Sequence, residues 1–294
     1  MPRTIRNPVE YSAEKIGGAW DHLGSMTEAV RGQGADAMAA PPKIRKLTLA
    51  DLSTAISRGY GDFLAYRTDV VFLCILYPFI GACLAWFSYY SNLLPLLFPL
   101  AAGFALIGPA AAVGLYEMSR RRERGETTDW LTAFGVMSSP SFGAILLLGL
   151  GLIGVFGVWI GVAEVIYLLT MGAGSAETTL GFLQAVIGTP GGIAMIAIGV
   201  PVGFVFAAAV LAISVVSFPM LLDRTVGVRR AVETSLRVAA ANPVAVASWG
   251  LIVATGLVLG SVPVFLGLVV VLPVLGHATW HLYRVAVVER SNRP

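Results

Sequence analysis

All twenty lysines and arginines fall in four groups, Arg3 to Arg67, Arg120 to Arg124, Arg224 to Arg237 and Arg284 to Arg293. The windows between them, residues 68–119, 125–223 and 238–283, are 52, 99 and 46 residues long and hold no basic side chain. A bilayer core of ~30 Å takes ~20 helical residues, so each window has room for two crossings and a turn. Basic residues flanking membrane helices stay on the cytoplasmic side, so each window must cross an even number of times. The pattern predicts an all-α transmembrane bundle of three hairpins with both termini cytoplasmic. The spans are expected near residues 70–90, 93–116, 140–170, 191–218, 243–260 and 262–283, with four helices in the middle window as the topological alternative.

Composition agrees with a membrane solvent. Hydrophobic residues make up 56% of the chain and charged residues 13%, about half the share usual in soluble domains. The net charge of +3 does not point to nucleic acid, because the arginines border apolar runs instead of forming a basic domain. The expected partners are membrane lipids, together with a membrane protein complex or a second copy of the chain. Cys74 and Cys83, nine residues apart on one expected helix, are ~13 Å apart along its axis and too distant for a disulfide.

In chain order, residues 1–41 are expected to form a mobile tail, and 42–68 an amphipathic helix lying in the inner interface. Residues 69–288 make the six-helix domain and 289–294 a second tail. Thr48 and Asp51 have capping-box spacing, and Leu52, Ala55, Ile56, Gly59, Tyr60 and Phe63 follow at helical intervals. Leu94 to Tyr116 is an uncharged run broken by Pro95, Pro99 and Pro109. It implies a kinked helix within a bundle or, on a transport reading, a discontinuous helix lining a substrate site.

Three groups of residues are candidates for chemistry. Glu117 precedes Arg120 and Arg121 by three and four residues, within reach of a helical ion pair. Glu164 is the one acid in the third span and reads either as an interfacial carboxylate or as part of an ion path. His277 and His281 share a helix face near the last cytoplasmic boundary, beside Trp280 and Arg284. Imidazoles at that spacing can chelate a metal or flank a haem. Hydrogen-bonded interfacial histidines are the simpler expectation, so no cofactor is predicted.

The expected cytoplasmic loop Pro219 to Pro243 holds Asp223 and Arg224, and in it Val228, Ala231, Val232, Ser235, Leu236 and Ala239 form one helical face. Arg229, Glu233 and Arg237 form a charge ladder on another face, and Asn242-Pro243 reads as an N-cap with a first-turn proline. Gly157/Gly161, Gly199/Gly203 and Gly256/Gly260 are expected to serve close helix packing within the bundle.

The runs Gly103-Phe-Ala-Leu-Ile-Gly-Pro109, Val113-Gly-Leu-Tyr-Glu-Met-Ser-Arg-Arg121, Ser217-Phe-Pro-Met220, Asp223-Arg224 and Pro273-Val-Leu-Gly-His-Ala-Thr-Trp-His-Leu-Tyr-Arg284 resemble a bacterial family of predicted integral membrane proteins. That family is known as domain of unknown function 2189, and some members carry a cytochrome c oxidase subunit I label. The resemblance implies a multi-pass protein of the bacterial inner membrane. A haem-copper catalytic subunit needs more ligating histidines than the three in this chain, of which His22 lies in the tail. The expected function is therefore that of a non-enzymatic structural, accessory or assembly factor. Alternatives are a small-solute or ion transporter and a metal- or haem-binding accessory protein of respiration.

Overall fold

The computed structural model describes residues 42–66, 97–126, 130–172, 179–263 and 265–288, together with Phe79, Cys83 and Trp86, which are helical. The expected span at 70–90, apart from those three residues, and the two expected tails lie outside the described residues. What is described is almost entirely helical, with one short ladder in which β1 (Lys43–Ile44) pairs antiparallel with β2 (Val287–Val288).

Helix α1 (Leu49–Ala65) begins as its sequence predicts. Thr48 Oγ1 accepts from the Asp51 amide at 3.2 Å and Asp51 Oδ2 accepts from the Thr48 amide at 2.8 Å, a closed capping box. Leu52, Ala55, Gly59, Asp62 and Phe63 form its buried side. That side packs along the last helix, α10 (Leu268–Ala286), where a Cβ at Gly59 would stand 2.5 Å from the Ala278 nitrogen. Only glycine permits this approach, because the obstruction is backbone.

From Leu97 on, the expected span at 93–116 is two helical pieces, α2 (Leu97–Ala111) and α3 (Val113–Glu123), with a turn at Ala112. Pro109 inside α2 has no N–H for the preceding turn, which loosens the ladder just before the break. Helix α3 runs on past Tyr116 and makes the arginine cluster helical as far as Arg122. A 3-10 helix (Trp130–Ser138) then leads into α4 (Phe142–Met171). At 30 residues, α4 is ~45 Å long, more than a bilayer core requires.

The short α5 (Thr179–Gly188) occupies the expected outer loop, and α6 (Pro190–Ser214) and α7 (Ser217–Asp223) together fill the fourth expected span. The amphipathic α8 (Val228–Ala241) and then α9 (Pro243–Ser261) complete the chain up to α10. Four helical stretches are long and apolar enough to cross a membrane: Phe142–Met171, Pro190–Asp223, Pro243–Ser261 and Leu268–Ala286. In the most apolar part of Pro190–Asp223 only 6% of the residues are buried by the protein itself. An apolar helix so little covered by its own chain takes hydrocarbon as its solvent.

The glycine pairs divide. Cβ atoms at Gly256 and Gly260 would meet Val271 at 3.1 Å and Leu268 at 2.7 Å, so this pair seats α10 against α9 as expected. Gly203 faces the Trp159 ring, a 3.0 Å approach for a Cβ, whereas Gly157, Gly161 and Gly199 have open space beside them. For these three glycines the expectation of close packing within the bundle fails among the described residues.

Asn242 also differs from expectation. Its side chain makes no cap bond to α9. Instead Oδ1 accepts from the Leu47 amide at 2.8 Å and Nδ2 donates to the Arg45 carbonyl at 3.2 Å, fastening the segment before α1 to the start of α9. Lys46 Nζ donates to the Ala241 carbonyl beside it.

Candidate functional site

Where α1, α3, α7 and α10 converge, nearly all the candidate polar residues meet in two adjoining networks. The first centres on Asp62, only 5% exposed although it is a carboxylate. Asp62 Oδ2 accepts from Ser119 Oγ at 2.6 Å and lies 2.9 Å from His281 Nε2, while Arg122 Nη1 donates to Oδ1 at 2.7 Å. Ser119 Oγ also lies 2.8 Å from His277 Nδ1. A hydroxyl has one proton, so with that proton on Asp62 the serine oxygen receives the imidazole N–H. Arg122 further donates to the Gly61 carbonyl and sits over the Tyr66 ring. Burial alone would raise the Asp62 carboxyl, but hydrogen bonds from His281 and Ser119 and the nearby imidazoles outweigh it and hold the group below the ordinary carboxylate range.

The second network is built on Glu117, 2% exposed, whose Oε1 accepts from Arg120 Nη2 at 3.0 Å and Arg121 Nε at 2.8 Å. The helical ion pair read from the spacing is therefore present, and its carboxylate is buried. Arg120 Nη1 continues to the Leu222 carbonyl at 2.7 Å, in the last turn of α7. Glu123 accepts from Trp280 Nε1 at 3.0 Å and Arg284 Nε at 3.1 Å. Tyr283 donates to Asp223 Oδ2 at 2.8 Å and accepts from Arg224 Nε at 3.2 Å, with Arg284 Nη1 3.4 Å from the same Asp223 oxygen.

Sequence reasoning named Glu117, Arg120, Arg121, Asp223, Arg224, His277, His281, Trp280 and Arg284, and the fold gathers all nine. Glu164 stands apart, half-buried on α4 with Tyr167 one turn further along. Five members were missed as candidates: Asp62, Ser119, Arg122, Glu123 and Tyr283. Asp62 had a readable signal, an acid lying on the otherwise apolar side of an amphipathic helix. The end of α10 also differs from the interfacial expectation, because His277, Trp280 and Tyr283 are enclosed by protein.

Ser119, His277 and Asp62 are the residue types of a hydrolytic triad, but their order is different. The carboxylate holds the serine and His281, leaving His277 without an orienting acid, and Ser119 is itself buried. Among the described residues His277 Nε2 has no hydrogen-bond partner, and it is fully enclosed. Among the described residues no three His, Cys, Asp or Glu side chains are set to hold a metal ion. What the arrangement does physically is join four elements through charge-assisted hydrogen bonds.

Residues 97–223 match the model of a family described as predicted integral membrane protein, DUF2189. No curated protein and no solved structure matches the chain. The matched stretch runs from the start of α2 to the end of α7. It therefore contains Glu117 to Glu123 and Asp223, whereas Asp62, His277, His281 and Tyr283 reach the junction from either side of it.

Proposed function

We propose, taking an integral membrane chain as the premise, that the protein is a non-enzymatic structural, accessory or assembly factor of a bacterial inner membrane. The supporting observation is the use of its ionisable groups. Asp62, Glu123 and Asp223 are each engaged by side chains from other elements, and Glu117 by Arg120 and Arg121 of its own helix, which gives a braced platform. The test is purification from native membranes in mild detergent, where a stoichiometric membrane protein partner is expected. Isolation of the chain alone under every such condition would count against the reading.

The topology proposed with this function is six spans with both termini cytoplasmic. Reporter fusions after Arg67, Arg124, Arg237 and Arg293 should then read as cytoplasmic, and fusions near Asn92, Ser175 and Ser261 as periplasmic. A cytoplasmic signal at Ser175 would replace the three-hairpin arrangement.

A transporter is the second reading, favoured by the break at Ala112 just after Gly108-Pro109, with Glu164 on the neighbouring α4. Reconstituted vesicles should show no solute or ion flux; a flux abolished by Glu164→Gln would move transport to first place. Metal or haem binding at His277 and His281 is checked by metal analysis and a visible spectrum before and after His281→Gln. Neither sample should hold stoichiometric metal or a Soret band. A band that disappears with the substitution would make this a cofactor-binding protein.

A further inference from the structure

Each residue of α1 advances about 100° around the axis. The side docked on α10 covers a sector of roughly 100°, and Thr54, Arg58 and Gly61 lie on the polar side away from it. A third sector carries Leu49, Ser53, Ile56, Tyr60 and Leu64, apolar at four of its five positions. Leu49 is 61% exposed, and Tyr60 and Leu64 are also exposed. Helix α1 is thus apolar over about twice the arc that the described residues cover.

The uncovered sector borders a groove of about 260 Å³, walled by Leu49, Leu52, Ser53 and Ile56 of α1 and by Ser248 and Ile252 of α9. On α9, Val244, Leu251 and Val258 recur at intervals of seven and point outward, Leu251 being 67% exposed. On a membrane span that outward side faces lipid, so the groove continues a lipid-facing surface. Its polar end is the clasp between Arg45, Leu47 and Asn242, which sets the starts of α1 and α9 side by side. Lys46 lies in this clasp and gives one N–H to Ala241 at 2.6 Å, which leaves further donors on its ammonium group. Arg45 is already paired with Asp51 at 3.2 Å.

We propose that the groove between α1 and α9 binds an acyl chain of a membrane phospholipid, whose phosphate lies against Lys46. An apolar channel with one cation at its polar end matches a single lipid molecule in both shape and charge. A helix from a second copy would need small residues on the walls, and four of the six wall residues are Leu or Ile. The inference needs α9 to face lipid and is independent of the accessory role.

The test uses the full chain with Cys74 and Cys83 replaced by Ser. A single fluorophore-labelled cysteine is introduced at Ser53, Thr54 or Leu251, and the protein is reconstituted in phosphatidylcholine vesicles with or without acyl-brominated lipid. Bromine should quench the Ser53 label at least twofold, close to the Leu251 label, and leave the Thr54 label unchanged. Ser248→Trp, which fills the groove, should return Ser53 to the Thr54 level without altering Leu251. Lys46→Gln should remove any preference of the Ser53 label for brominated phosphatidylglycerol over brominated phosphatidylcholine. Ser53 as unquenched as Thr54, with Leu251 quenched, overturns the proposal. Quenching at Ser53 that appears only on dilution of the protein in the bilayer overturns it too, assigning the groove to a second copy. If Ser248→Trp fails to insert, the comparison of Ser53 with Thr54 in the otherwise unaltered chain decides.

Discussion

Asp62→Ala is expected to release α1 from the rest of the protein. The substitution leaves Arg122, His281 and Ser119 facing an emptied acceptor position in a buried junction. Removing one member of a fully buried charged pair costs about 3–5 kcal/mol. Arg122 is partly exposed and solvent recovers some of its charge, but the orphaned Ser119 and His281 add to the loss, so about 3–4 kcal/mol is expected. Two measurements follow the loss: denaturant unfolding in detergent micelles, and trypsin cleavage at Arg58, which should become rapid once α1 undocks. Asp62→Asn keeps two acceptor lone pairs but not the charge opposite Arg122 and should fall between the alanine variant and the parent. Acid should imitate the substitution. The folded carboxyl titrates below the unfolded value of ~3.9. Its contribution is therefore complete above that value and lost as the pH falls beneath it, through the lower folded value. Cleavage at Arg58 that is the same in Asp62→Ala and the parent would show that the carboxylate does not hold α1.

Glu117→Ala should be the second most damaging single change. It strips the shared acceptor from Arg120 and Arg121, which stand three and four residues further along the same helix. The expected loss is about 3 kcal/mol, at the low end for a buried pair because Arg121 is partly exposed and solvent recovers some of its charge. Arg120 also caps α7 through the Leu222 carbonyl, so the damage should spread to the α3–α7 contact. Glu117→Gln, which retains an acceptor oxygen, should recover part of the stability in the same unfolding experiment. Equal losses for Ala and Gln would assign the effect to charge alone.

The two substitutions differ in how visible their sites are in the sequence. The Glu117 pairs are contained in one helical turn, so spacing alone reveals them. The capping box of Thr48 and Asp51 is local in the same way. The partners of Asp62 lie 57, 60 and 219 residues away, and no periodicity encodes such distances. His277 and His281 could be placed on one face, but not given Asp62, which holds His281 directly and reaches His277 through Ser119. Asn242 shows how a local rule can be overridden. In sequence it is a good cap for α9, yet a segment 195 residues upstream takes its side chain. Trp280 and Tyr283 look like interfacial aromatics because they border a basic residue at the end of an apolar run. They are buried because Glu123 and Asp223 supply partners for the indole N–H and the phenol. The long spans were legible because hydropathy and charge exclusion act on whole segments and do not depend on individual pairs.

The docking of α1 on α10 joins an early part of the chain to a late one. During synthesis, α1 leaves the ribosome while its main partner is still to be made. The 219 residues between Asp62 and His281 take on the order of ten to forty seconds at ~5–20 residues per second. Throughout that interval the acid that will later be buried lacks His281, and its helix must wait with the side that meets α10 unclaimed. Helix α10 thus completes the junction. A nascent chain arrested before His281 would carry α1 undocked and open to proteases, and only chains extended through α10 could close the junction.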